Sequence, residues 1–157
     1  MQRVQPGDHA ALAAFLRDAD LTVSGLDDPT VRLWIELDDN GLIVGSTGYE
    51  LSEDRRHALV RSVAVSSATR SQGRGTALAR FALDRAAHEG ARDAWLFSRR
   101  SGGFWRSLGF VPADRVALAA ALAGTHQVRL FQQTGQLDQE IAWTRSLAPN
   151  RGAVTAQ

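Results

Sequence analysis

The stretch Val63-Ala64-Val65-Ser66-Ser67-Ala68-Thr69-Arg70-Ser71-Gln72-Gly73-Arg74-Gly75 carries an apolar strand end into a glycine-containing loop, and Thr76 opens TALARFALDRAAHEG directly after it. The spacing of Leu78, Phe81, Ala82 and Ala86 predicts a helix over 76–90, with Gly90 at its C′ position. A strand, a glycine loop and a helix in that order have a physical reason to bind phosphates. The first turn of a helix exposes N–H groups with no partner inside the helix, and the macrodipole adds positive potential there. Gly73 and Gly75 let the backbone bring several of those groups onto one anion. Arg70 and Arg74 offer bidentate donors for a pyrophosphate. The same hexapeptide also reads as a surface turn with solvated arginines. Two other phosphate motifs are excluded. The P-loop requires a lysine that the chain lacks, and the dinucleotide fingerprint requires a third glycine after Gly73-Arg74-Gly75.

Outward from this segment, the pattern predicts alternating strands and helices in one domain. A strand over 1–5 stops at Pro6-Gly7, and Asp8 is placed to cap a helix over 9–19. Residues 20–30 read as a loop. Strands follow over 31–38 and 42–51, joined by the hairpin turn Asp39-Asn40-Gly41, and a third runs over 57–66. After the helix come a strand over 92–98, a short helix over 102–108 and an extended Phe110-Val111 stopped by Pro112. An alanine-rich helix over 116–123 and a last strand over 139–147 complete the domain, 1–147. The polar residues 148–157 are expected to form a flexible tail.

Composition narrows the class. The chain has 157 residues, 44% hydrophobic and 22% charged, with formal net charge +1, so no charge excess points to nucleic acid or a membrane as partner. No cysteine is present, which excludes disulfides, thiolate metal sites and a cysteine nucleophile. All 18 basic residues are arginine, so no Schiff-base or general-base lysine is available. No signal-peptide pattern opens the chain, and a cytoplasmic location is the expectation.

The segment VAVSSATRSQGRGTALARFAL resembles the signature of the GNAT superfamily of N-acetyltransferases. A second stretch, Phe104-Trp105-Arg106-Ser107-Leu108-Gly109-Phe110, is similar to the F-Y-x-x-L-G-F signature of that superfamily, and the opening RVQPGDHAALAAFL is similar to its usual start. The likeness runs from residue 1 to about 112. It implies an α/β (α+β) fold: a mixed, mostly antiparallel sheet of about seven strands flanked by helices. It implies acetyl-CoA as co-substrate, held where strands 57–66 and 92–98 splay apart, with no metal. The pantetheine arm would lie along Val63 and Val65, with Trp105 packing against that arm or against the core. The pyrophosphate would meet Arg70, Ser71, Gln72, Gly73, Arg74, Gly75 and Thr76. The Val63 N–H would polarise the thioester carbonyl for direct transfer to an amine.

The chain departs from that pattern in two places. Trp105 stands where many members have a tyrosine thought to protonate the leaving thiolate, and an indole N–H is no useful acid. Leu59 stands where many carry a glutamate base. Glu50, at the end of the preceding strand, is the nearest acidic candidate, with His57 and His126 as others. Glu50 and Arg61 together could grip an amino-acid substrate, Glu50 its ammonium and Arg61 its carboxylate, or could simply form a cross-strand surface ion pair. Gly48-Tyr49-Glu50 followed by Leu59–Val65, with Asp114-Arg115 and Thr125–Gln127, also resembles single-domain acetyltransferases of the arsenic-resistance group and enzymes acting on glutamate-like amines. The first group has a cysteine that this chain lacks, so only a small amino acid or analogue carries over as acceptor. The leading expectation is an N-acetyltransferase for a small-molecule amine. The alternatives are an acetyltransferase for a protein N-terminus or an antibiotic amine, and a non-catalytic acyl-CoA-binding module. A homodimer is compatible with each.

Overall fold

The computed structural model describes residues 1–68 and 73–147. Seven strands form one sheet: β1 (Gln2–Arg3), β2 (Val31–Leu37), β3 (Ile43–Leu51), β4 (His57–Val65), β5 (Asp93–Phe97), β6 (Val111–Ala113) and β7 (Ala142–Ser146). Their spatial order is β1-β2-β3-β4-β5-β7-β6, and every pairing is antiparallel except β4 with β5. That one parallel contact requires a crossover, which α2 (Arg74–His88) supplies. The other helices are α1 (His9–Asp18), α3 (Gly102–Ser107), α4 (Arg115–Ala121) and α5 (His126–Thr134).

The strand alternation sorts side chains to two covered faces. On one face Val31, Leu33 and Ile35 meet Leu12 and Leu16 of α1, and Leu59 meets Leu118, Leu122 and Val128 of α4, α5 and their linker. On the other, Trp34, Tyr49 and Val60 pack under α2, and Trp105, Phe110 and Trp143 continue that layer beneath α3. Thr47 Oγ1 donates to the Leu78 carbonyl at 2.8 Å, which fixes α2 against β3. Burying one leucine side chain contributes roughly 1.5–3 kcal/mol, so these layers hold the sheet between its helices.

Several boundaries differ from the sequence expectation, each for a local reason. The first strand is two residues long because Pro6–Asp8 forms a 3-10 turn, and Asp8 accepts from the Gln5 N–H at 2.8 Å instead of capping α1. Residues 111–113 pair with β7 straight through Pro112, which is tolerated because β6 is the edge strand. Helix α2 starts at Arg74, two residues early. Helix α5 and the 3-10 turn Gln136–Gln139 occupy a region where no element was expected, and the last strand is correspondingly shorter. The expected tail over 148–157 lies outside the described residues.

The loop between α1 and β2 is fastened to α5 by Asp28, whose Oδ2 lies 2.6 Å from His126 Nε2. The Thr30 N–H, then His126, pull the Asp28 carboxyl down to about 2. A carboxyl depressed in the folded state contributes stability that is complete above its unfolded value, about 3.9, and is lost as pH falls towards 2. Asp28→Asn should therefore lower the urea midpoint at pH 6, with the gap to wild type narrowing at pH 3. A gap that stays constant between the two would contradict this linkage.

Candidate active site

Strand β4 makes the site by refusing to stay flat. Ser46 lies opposite Ala64 and Gly48 opposite Arg61, so a single residue of β3 faces both Ser62 and Val63. This is a β-bulge, and Ser62 adopts φ +62°, unusual for a residue other than glycine. Two contacts hold the bulge: Ser46 Oγ donates to the Ser62 carbonyl at 2.6 Å, and Arg61 Nε donates to Ser62 Oγ at 3.2 Å. Beside it β4 and β5 pair only through His57–Leu59 and Asp93–Trp95. Beyond those residues the strands part.

A cleft of about 500 Å³ occupies the gap. Val63, Ala64 and Val65 form one wall, Ser101 and Phe104 the other, and Ala19 and Leu21 a third side. Gly73, Gly75 and Thr76 close one end. Gly73 adopts φ +87°, which favours glycine, and turns the chain so that the first turn of α2 faces the cleft. A Cβ added at Gly75 would lie 3.6 Å from Phe104 and 3.8 Å from Val65, within ordinary contact and inside the cleft.

The residues expected at the coenzyme site divide into three groups. Val63, Val65, Gly73, Gly75 and Thr76 come together around the cleft. Arg70, Ser71 and Gln72 lie outside the described residues. Arg74 and Trp105 do not line the cleft. Arg74 turns to β2, where its Nη1 stands 3.1 Å from Glu36 Oε2, because that carboxylate is within reach of the first helical residue. Trp105 is 7% exposed and packs edge-on against Phe104 and Phe110. Its neighbour Phe104, about 100° away around a helix, takes the cleft position instead.

Glu50 and Arg61 also come together, but the pair is buried. Arg61 Nη1 lies 2.9 Å from Glu50 Oε2, and the side chains are 0% and 3% exposed. The expected surface ion pair is thus a core one. The groups that would have gripped a substrate are engaged by the chain itself. Glu50 accepts from the backbone N–H of His126 at 2.7 Å and of Gln127 at 3.3 Å, at the first turn of α5. Arg61 Nη2 donates to the Thr22 carbonyl at 3.3 Å. Burial pulls the guanidinium below its ordinary value, and Glu50 opposes that shift. His57, the other base candidate on this strand, stands six residues before Val63, roughly 20 Å along a strand, and its Nδ1 accepts from Trp95 at 3.1 Å.

A second, more polar pocket of about 240 Å³ adjoins the cleft and shares Ala19, Leu21 and Ser101 with it. Thr22, Ser98, Arg99, Gln127 and Glu140 contribute to its lining. Of these, only Gln127 stands in a stretch that the family resemblance singles out, and no local motif marks the others.

The sequence matches the Acetyltransferase (GNAT) family over residues 4–110. The chain belongs to that family. No curated protein matches the sequence. Solved structures with the same fold include an N-acetylglutamate synthase from Neisseria gonorrhoeae complexed with coenzyme A and N-acetyl-glutamate, with TM-score 0.72 and 18% identity over 94% of this chain and 34% of that one. Rv2747 from Mycobacterium tuberculosis, in complex with CoA, has TM-score 0.72 and 16% identity over 94% of this chain and 98% of that one. An aminoglycoside 6'-N-acetyltransferase complexed with coenzyme A has TM-score 0.65 and 12% identity over 93% and 94%. The chain thus spans about a third of the length of the synthase.

Removing one partner of a buried ion pair leaves the other charge without compensation, at a cost of about 3–5 kcal/mol. Glu50→Gln should destabilise the protein by that order in urea unfolding. Glu50→Gln with Arg61→Met should recover more than half of the loss. Simple additivity of the two single losses would show that the residues do not act as a pair.

Proposed function

We propose that the protein is an acetyl-CoA-dependent N-acetyltransferase that transfers the acetyl group directly to the amine of a small molecule. The observation that carries this reading is the parting of β4 from β5 beyond Leu59 and Trp95, next to a bulge at Ser62–Val63. It leaves one edge of β4 without a neighbouring strand along Val63–Val65. An extended amide-containing chain such as pantetheine can occupy a free strand edge as another strand would. The first turn of α2, entered through Gly73, offers N–H groups to a pyrophosphate at the far end of the same cleft. Size, shape and donors therefore suit acyl-CoA.

The chemistry asks little of side chains. The amine nitrogen attacks the thioester carbonyl carbon, the C–S bond breaks, and the proton that the nitrogen sheds passes to the departing CoA thiolate, directly or through solvent. In this reading the Val63 N–H donates to the developing oxyanion. Before it attacks, the amine must shed its proton, a small demand near neutral pH for a peptide-like α-amine with a pKa of about 7.7–8.0 and a larger one for more basic amines. Glu50 and Arg61 then act one step back from the substrate. They hold the Ser62 bulge, Thr22 and the first turn of α5 in register, in place of the direct grip that the sequence suggested.

Release of CoA thiol from acetyl-CoA in the presence of a panel of small amines tests the reading. Turnover with at least one amine is expected, and acetyl-CoA binding without any turnover would contradict it. Gly75→Val should fold, since its Cβ meets only ordinary contacts, yet fill the cleft beside Val65. Loss of one charged hydrogen bond is worth roughly 1.5–3 kcal/mol, so affinity for acetyl-CoA should fall at least tenfold. Trp105→Phe should keep most of kcat. A fall of about a hundredfold, the scale of a lost general acid, would return Trp105 to the chemistry.

A further inference from the structure

The polar pocket beside the cleft contains a group that the fold leaves unanswered. Gln127 is 9% exposed, and its Nε2 donates to Thr22 Oγ1 at 3.2 Å. Its Oε1 is buried without a hydrogen-bond partner. Buried carboxamide oxygens are nearly always paired, so an orphan on a pocket wall calls for a donor from outside the chain. Gln127 is also held in place: its own backbone N–H is bound by Glu50, and Thr22 is bound by Arg61.

Across the same pocket stands Glu140, a buried carboxylate. Its Oε2 accepts from Gln136 Nε2 at 2.8 Å and lies 3.4 Å from Arg99 Nε. Arg99 is 46% exposed, so its guanidinium keeps donors facing solvent at the pocket rim. The walls therefore offer a buried carboxylate and an unpaired amide oxygen, with a cation next to them. That is the complement of an ammonium with a carboxylate close by. A simple hydrocarbon amine would leave the exposed donors of Arg99 unused, and an acid without an amine would leave Gln127 Oε1 without a donor.

Resting on the acetyltransferase reading, we propose that this pocket is the acceptor site and takes a zwitterionic amino compound of amino-acid size, with Gln127 Oε1 and Glu140 receiving its ammonium and Arg99 its carboxylate. The pocket shares Ala19, Leu21 and Ser101 with the cleft, so an amine seated there adjoins the acyl-CoA site. Gln127 is then a positioning and specificity residue that connects the buried Glu50–Arg61 pair to the substrate.

The test has a binding arm and a turnover arm. Binding of the standard L-amino acids, one at a time, is measured by calorimetry on the full chain with CoA present, and the best binder is compared with its methyl ester. The expected result is that the ester binds at least tenfold more weakly, and that Arg99→Gln removes this preference while leaving CoA affinity unchanged. Gln127→Leu and Glu140→Gln should each raise KM for that amino acid about tenfold or more, with KM for acetyl-CoA unaltered. Arg99 is half-exposed, so its variant decides the question even where the buried variants fail to fold. Amino-acid binding that depends on Arg99 without any turnover would uphold the pocket and overturn the acetyltransferase reading. Turnover of amines that is indifferent to the carboxylate and to Arg99 would overturn the pocket and leave that reading intact.

Discussion

The buried contact between Arg61 and Glu50 is the constraint on which the rest of the site depends. Two charges without solvent exposure are costly, because desolvation offsets much of their attraction. Their arrangement explains why they stay. Arg61 reaches Glu50 on the neighbouring strand, the Ser62 hydroxyl in the bulge and the Thr22 carbonyl in the loop after α1. Glu50 answers with two backbone N–H groups at the start of α5. A leucine in either place would pack as well but would leave the donors at the first turn of α5 and the Thr22 carbonyl without partners. The pair thus fixes where three separate segments meet.

That meeting point has a functional geometry. The bulge turns Ser62 and Val63 out of the regular ladder, and β5 leaves β4 after Leu59, three residues earlier. An exposed strand edge is a liability in most proteins because it invites pairing with another chain. Here α2, α3 and the loop after α1 limit access to a cleft of about 500 Å³. Extended ligands fit and whole sheets do not. Membership of the GNAT acetyltransferase family agrees with this shape.

Much of the fold was legible because it is carried by local patterns. Alternating Val31, Leu33 and Ile35, the Asp39-Asn40-Gly41 turn and the 3.6-residue spacing of Leu78, Ala82 and Ala86 each announce an element without tertiary help. Helix α5 was also signalled, by Thr125 at its N-cap, Gly135 at its C′ position and Val128 and Phe131 on one face. Its short length and polar composition hid those cues. The bulge was not legible, since Ser62 holds a positive φ that no sequence rule assigns to serine. An ion pair between Glu50 and Arg61 is one of two readings the sequence leaves open, and its burial is not legible there because it is set by Thr22 and α5, far away in sequence. For Arg74 and Trp105 the motif fixes the place in the chain, while the nearest carboxylate and the aromatic core fix where the side chains go. The Gln127–Glu140 pocket draws on residues from four separate segments, and no local pattern marks it.

On the proposed reading the gap between β4 and β5 is the acyl-CoA site, and a crystal structure of the protein with CoA decides whether it is. The expected result is a pantetheine arm paired with the backbone of Val63 and Val65, the pyrophosphate against the N–H groups of Gly75 and Thr76, and the sulfur pointing towards the pocket that holds Gln127. CoA bound away from this gap, or strands β4 and β5 closed together beyond Leu59 in its presence, would contradict it.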